Sequence, residues 1–91
     1  MAIFDEKSVF RALADTTRRD ILRLLRKRDL TPSEMIQNFS ISKPSLSHHL
    51  EILKHSNLVI VERKGQNLLY SLNMSVFEEV TSFMLNLFEG K

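Results

Sequence analysis

Residues 40–58, SISKPSLSHHLEILKHSNL, decide the fold. Ser42 is an N-cap candidate, and Pro44 falls in the first turn of the helix that follows, where the missing N–H costs nothing. At 100° per residue Leu46, Leu50 and Leu53 share one side of that helix. Pro44, Ser47, His48, Glu51 and His55 share the other side, and His49 flanks the leucine stripe. Just upstream, TPSE (residues 31–34) supplies Thr31 as N-cap, Pro32 at the first helical position and Glu34 to close a capping box, which opens a short helix to about Phe39. Only Ser40, Ile41 and Ser42 separate the two helices. Helices joined so tightly form a helix-turn-helix when their apolar faces share one core.

Before this pair, Val9, Phe10, Leu13 and Ala14 recur at helical spacing after Asp5, a cap for a first helix. A second helix follows Asp15 and Thr16, with Ile21, Leu22, Leu24 and Leu25 inward, the arginines outward and an end near Asp29. After Asn57 the period shortens: LVIVERK, then Gly65, then NLLYSL, two β-rich runs around a polar tip, which predicts a hairpin. A final helix is expected from about Ser75, with Ser75 and Glu78 as a capping box, to Phe88 before Gly90. The expected fold is mostly α with a small β-hairpin: four helices, a two-stranded wing and a C-terminal helix, a winged helix-turn-helix. Residues 1–91 are expected to form this single domain.

The 91 residues allow one small core, so a partner chain is worth looking for. The absence of cysteine removes disulfides, thiolate metal sites and cysteine nucleophiles. The start, MAIFDEKSVF, lacks the basic and long apolar stretches of a signal peptide, and no window nears the ~20 apolar residues of a membrane span. A cytoplasmic protein with no membrane insertion is expected. No H-E-x-x-H, G-x-S-x-G or phosphate-binding glycine loop occurs, so no enzyme is expected. His48 and His55 share a face, but seven residues of helix rise about 10 Å, too far for one ion with ligands about 2 Å away. Neither a metal site nor a cofactor is expected.

The charge is uneven. Residues 16–30 carry Arg18, Arg19, Arg23, Arg26, Lys27 and Arg28 against Asp20 and Asp29, while residues 68–91 are net acidic. The outer face of the 43–55 helix suits double-stranded DNA: Lys43 adds charge, Ser47 is short enough for close approach to base edges, and His48 donates or accepts in the major groove. The helix start adds backbone N–H groups and a partial positive charge for a phosphate. Arg63, Lys64 and Gln66 on the wing can enter a minor groove or hold the backbone.

On the last helix Val76, Phe77, Val80, Phe83, Met84, Leu87 and Phe88 make an apolar stripe broader than a small core needs, and Val9, Phe10 and Leu13 add a second surplus. Packing Val9, Phe10, Leu13, Val80, Phe83, Met84 and Leu87 across a two-fold axis would bury both, as a homodimer. Two recognition helices then stand one DNA turn apart, roughly 34 Å, and read an inverted repeat. The alternative is a winged helix that binds a protein and no DNA; it would have no need of Lys43, Ser47, His48 or a basic wing.

Three stretches carry a family resemblance: ALADTTRRDILRLL (12–25), SKPSLSHHLEILKHSNLV (42–59) and ERKGQNLLYSL (62–72). In that order they resemble the ArsR/SmtB family of bacterial winged-helix repressors, most similar to its SdpR-like autorepressor branch. The resemblance implies a sequence-specific transcriptional repressor with Lys43, Pro44, Ser45, Ser47 and His48 in the DNA-recognition helix, Arg63 to Gln66 in the wing, and the terminal helices in a homodimer interface. The chain departs from the family's metal sensors. Where arsenic sensors carry cysteines it has Thr31, Ser33 and Glu34, and where zinc sensors carry Asp and His on the last helix it has Met74, Val76, Leu87 and Gly90. None of these four last-helix residues is a good zinc ligand, so DNA binding is implied without metal sensing. The inducer, protein or small molecule, stays open.

Overall fold

The computed structural model describes residues 4–89. In chain order these are α1 (Glu6–Leu13), α2 (Thr16–Lys27), α3 (Pro32–Met35) continued by a 3₁₀ turn (Ile36–Asn38), α4 (Lys43–His55), β1 (Val59–Lys64), β2 (Asn67–Leu72) and α5 (Met74–Glu89). This is the expected winged helix-turn-helix of five helices and a two-stranded antiparallel hairpin.

Side chains within three residues set the first four helix starts. Asp5 accepts the Ser8 N–H, Asp15 the Arg18 N–H and Ser42 the Ser45 N–H. At α3 the capping box is complete: Thr31 Oγ1 accepts the Glu34 N–H, and Glu34 Oε1 accepts the Thr31 N–H at 2.9 Å. α4 gives way to β1 through Asn57, whose φ of 63° is a left-handed conformation that Asn tolerates better than most residues.

α5 starts within one residue of the expected position, but not through the expected cap. Asn73 donates its N–H to the Leu58 carbonyl at 3.0 Å, which ties the end of β2 to the exit of α4. Its own carbonyl then accepts the N–H groups of Val76 and Phe77 at 3.1 and 3.2 Å. The helix therefore begins at Met74, Ser75 falls within its first turn, and among the described residues Ser75 and Glu78 form no capping box. Gly90, the expected stop, lies outside the described residues.

The hairpin register runs from Val59 opposite Leu72 to Lys64 opposite Asn67, leaving Gly65 and Gln66 as a two-residue turn. Gly65 alone of the two has a positive φ, 63°, the type II′ pattern, and a Cβ there would meet nothing within 4 Å, so glycine serves the backbone angle and not a close contact. A third edge, unforeseen from sequence, joins the wing: Leu30 and Tyr70 exchange two backbone hydrogen bonds of 3.1 and 2.9 Å, anchoring the hairpin to the α2–α3 loop.

The core gathers Ile21 and Leu25 of α2, Met35 of α3, Leu46, Leu50 and Leu53 of α4, and Leu58, Tyr70, Val76 and Val80 around them. Each such side chain contributes roughly 1.5–3 kcal/mol on burial. Val9 and Val80 belong to this core. At 0 % and 5 % exposed they lie within the single chain and have no surface left for a partner, which corrects their expected place in a dimer interface.

Arg18 is a second correction. Far from pointing outward, it is 8 % exposed and lies in the same helical row as Ile21, Leu22 and Leu25. Its Nε donates to the Ala12 carbonyl and Nη2 to the Arg11 carbonyl, both at 2.9 Å, so it closes the C-terminus of α1. Arg19 does the same for the Leu13 carbonyl at 2.8 Å.

Candidate nucleic-acid interface

Three leucines hold the inner face of α4, and Lys43, Pro44, Ser47, His48, Glu51 and His55 are exposed on the outer one. Ser45 is half-buried, its N–H taken by Ser42 Oγ. The Leu46 N–H goes to the Ser42 carbonyl, and Pro44 has none. The α4 start therefore offers a phosphate the Lys43 N–H and the end of the helix dipole, less than a bare helix terminus would. Beside it, Pro32, Ser33 and Ile36 of the α3 segment and Lys43, Leu46 and Ser47 line a hollow of about 180 Å³.

His49 locks α4 to the helices behind it. Its Nδ1 lies 3.1 Å from Arg18 Nη1. A guanidinium only donates, so Nδ1 accepts and the ring proton sits on Nε2. Asp15 Oδ2, at 3.8 Å, is beyond hydrogen-bond reach of the same nitrogen. Asp15 itself is held below the usual carboxylate range, first by the Arg18 N–H it accepts and then by the charge of Arg18, against the opposing effect of burial. Asp15, Arg18 and His49 thus set the angle at which the exposed face of α4 is presented. Burial pushes the Tyr70 phenol up, with the charge of Glu51 adding to it.

Much of the basic run in α2 is occupied internally. Beyond Arg18 and Arg19, Arg23 pairs with Asp20 at 2.7 Å and Arg28 approaches Glu34 at 3.8 Å. The wing divides its charges. Strand residues alternate faces, so Arg63 and Lys64 point to opposite sides, and Lys64 pairs with Glu62 at 3.5 Å while Gln66 is exposed at the tip. Of the residues expected at a dimer surface, Phe10, Met84 and Leu87 are exposed, and Leu13 and Phe83 are half-buried against the chain's own core.

Among the described residues no group of three or more His, Cys, Asp or Glu side chains converges to hold a metal ion, and no helix is long and apolar enough to cross a membrane. Of the positions matched to metal sites, Thr31 and Glu34 are engaged in the α3 capping box, and Gly90 lies outside the described residues.

Comparison with known proteins agrees with this geometry. Residues 15–61, from the α2 cap through α4 into β1, match the family described as bacterial regulatory protein, arsR family. The transcriptional repressor SdpR of Bacillus subtilis (strain 168) is 48 % identical over 79 residues, covering 87 % of this chain and 88 % of that protein. An arsenical resistance operon repressor of Staphylococcus aureus is 29 % identical over 88 % of this chain and 77 % of its own length. Among solved structures, an ArsR-like transcriptional regulator from a Rhodococcus species superposes with a TM-score of 0.84 at 25 % identity, covering 92 % of this chain and 79 % of that one. A further ArsR family transcriptional regulator gives 0.84 at 28 % identity over 91 % of each chain. The chain belongs to the arsR family of bacterial regulatory proteins, DNA-binding winged-helix transcriptional regulators and not enzymes.

Proposed function

We propose that this chain is a repressor that acts in the cytoplasm as a homodimer on an inverted-repeat operator, that it controls its own promoter, and that it does so without the metal sites of its metal-sensing relatives. One observation carries the reading of the site. Ser47 and His48 stand exposed on the outer face of a helix whose inner face is fixed by Leu46, Leu50, Leu53 and the Arg18–His49 bond. A rigid helix with short polar side chains outward is what base reading in a major groove requires.

The exposed apolar end of α5 supports the dimer. Met84, Leu87 and Phe88 continue the row of Phe77 and Val80 beyond the core, and Leu87 and Phe88 are 66 % and 83 % exposed. Likeness to a repressor such as SdpR supports repression. The donor set supports the absence of metal sensing, since the positions compared with metal sites hold Thr, Ser, Met, Val and Leu as well as a Glu already used as a cap.

Selection of bound duplexes from a random pool tests DNA reading and returns the half-site. With that operator in hand, Ser47→Ala and His48→Ala should each reduce discrimination between operator and random duplex by about 1–3 kcal/mol for every base edge no longer read. An equal drop in affinity for both DNAs would contradict base reading.

A further inference from the structure

α1 and α4 lie side by side and antiparallel. At one end Arg18 bonds both the Arg11 carbonyl (2.9 Å) and His49 (3.1 Å). At the other, the Asp5 carboxylate, held low mainly by the hydroxyl and N–H of Ser8, also feels His55. Between the helices runs an open groove of about 460 Å³, walled by Lys7, Ser8 and Arg11 on α1 and by His48, Glu51, Ile52 and His55 on α4. Lys7 and Arg11 are one helical turn apart on one face, both are exposed, and neither forms an ion pair among the described residues.

His48 belongs both to this groove and to the outer face of α4. The groove is therefore continuous with the surface proposed to read bases. An α-helix with its side chains is about 10–12 Å across and a major groove about 12 Å wide, so a helix seated there has a sugar-phosphate backbone along each flank. On one flank of α4 stand Ser33 and Lys43, and on the other stand the two free cations of α1.

We propose that Arg11, with Lys7 behind it, forms a DNA contact beyond the recognition helix and the wing, gripping a phosphodiester of the duplex on the α1 flank of α4. This rests on the reading of α4 as the recognition helix. Arg11 lies beside His48, toward the DNA-facing half of α4, whereas Lys7 lies toward His55, so Arg11 dominates. Its guanidinium matches two phosphate oxygens at once, and Glu51 in the wall keeps the phosphate at the rim of the groove.

The test is the slope of log affinity against log salt, measured with the selected operator and with a random duplex for the wild type, Arg11→Ala, Lys7→Ala and Arg11→Lys. Each side chain is exposed and the Arg11 carbonyl used by Arg18 survives substitution, so unchanged melting is expected. Arg11→Ala should lower the slope by about one unit and weaken both DNAs by the same factor, Lys7→Ala should do less, and Arg11→Lys should keep the slope. A wild type that binds with an Arg11→Ala variant of equal slope and affinity overturns the α1 contact alone. So does a weakening confined to the operator, which would mean a base contact. A wild type that binds no duplex at all overturns the recognition-helix reading and this contact with it.

Discussion

Replacing Arg18 with Ala should cost more stability than any other substitution among the arginines of α2. Three bonds disappear: Nε to the Ala12 carbonyl, Nη2 to the Arg11 carbonyl and Nη1 to His49 Nδ1. Hydrogen bonds from a charged donor are worth roughly 1.5–3 kcal/mol each, but the Arg11 carbonyl sits at a helix end where water can replace the donor. Ala12, at 0 % exposed, has no such recourse. The expected loss is about 3–5 kcal/mol, a large share of the roughly 5–15 kcal/mol of a whole domain. Arg19→Ala removes one half-buried bond to Leu13 and should cost about 1 kcal/mol. Arg23→Ala breaks a pair whose partners are 65 % and 46 % exposed and should cost under about 0.5 kcal/mol. Urea unfolding at one fixed protein concentration gives the order through the midpoints. Combining Arg18→Ala with His49→Ala should show a coupling of about 0.5–3 kcal/mol. An Arg18→Ala loss below about 1 kcal/mol, or equal losses for all three arginines, would refute the assignment of Arg18 as the joint between α1, α2 and α4.

On the wing, Arg63→Ala should lower the salt slope of DNA binding by about one unit and Lys64→Ala by less, because Lys64 faces the other side and already pairs with Glu62; equal effects would contradict the division. Leu87→Glu should give monomers in sedimentation, since an unpaired charge in an apolar contact costs several kcal/mol and a two-fold axis repeats it. Phe83→Glu is a poorer probe, because Phe83 packs edge-on against Phe4 of the same chain at 5.8 Å and the variant would also damage the fold. The folded-state pKa of Asp15 lies below its ordinary 3.8, so its contribution is complete above that value and is lost as pH falls through the lowered one. Asp15→Asn should therefore be less stable near neutrality and show a flatter acid limb in stability against pH; an unchanged acid limb would remove Asp15 from the linkage.

What is legible in the sequence is what is local. The caps at Asp5, Asp15, Thr31 and Ser42 involve backbone groups three residues away, so spacing alone identifies them. The outer and inner faces of α4 follow from helical period, and the hairpin from a change of period around Gly65. Arg18 is misplaced by a sequence reading although its signal is present, three and four residues before Ile21 and Leu22 and hence on the inner row. A cation there needs acceptors, and the helix end that supplies them lies six and seven residues back, beyond any single-helix wheel. The way α5 is started escapes because Asn73 is fixed by Leu58, and the Leu30–Tyr70 bridge because it joins residues forty apart in sequence. Val9 and Phe10 are neighbours with opposite fates, since only the direction of α1 relative to α2 and α4 decides which is covered.

That direction lets one short helix serve two surfaces. Phe10 packs against Phe83 with ring centroids 6.0 Å apart, which joins α1 to the apolar row of α5, while Lys7 and Arg11 turn toward α4. In the proposed dimer, burying the α5 row recovers roughly 1.5–3 kcal/mol per large side chain, twice over by symmetry. It would also bring the proposed phosphate-facing side of α1 and the proposed base-facing side of α4 into one rigid frame with their symmetry mates. Operator reading then depends on two half-sites held at a fixed spacing, whereas random duplex needs only one protomer's charges. Leu87→Glu should accordingly weaken the operator far more than random DNA and leave the per-protomer salt slope in place. A variant that dissociates yet binds both DNAs more weakly by the same factor would show that the two recognition helices are not coupled through α5.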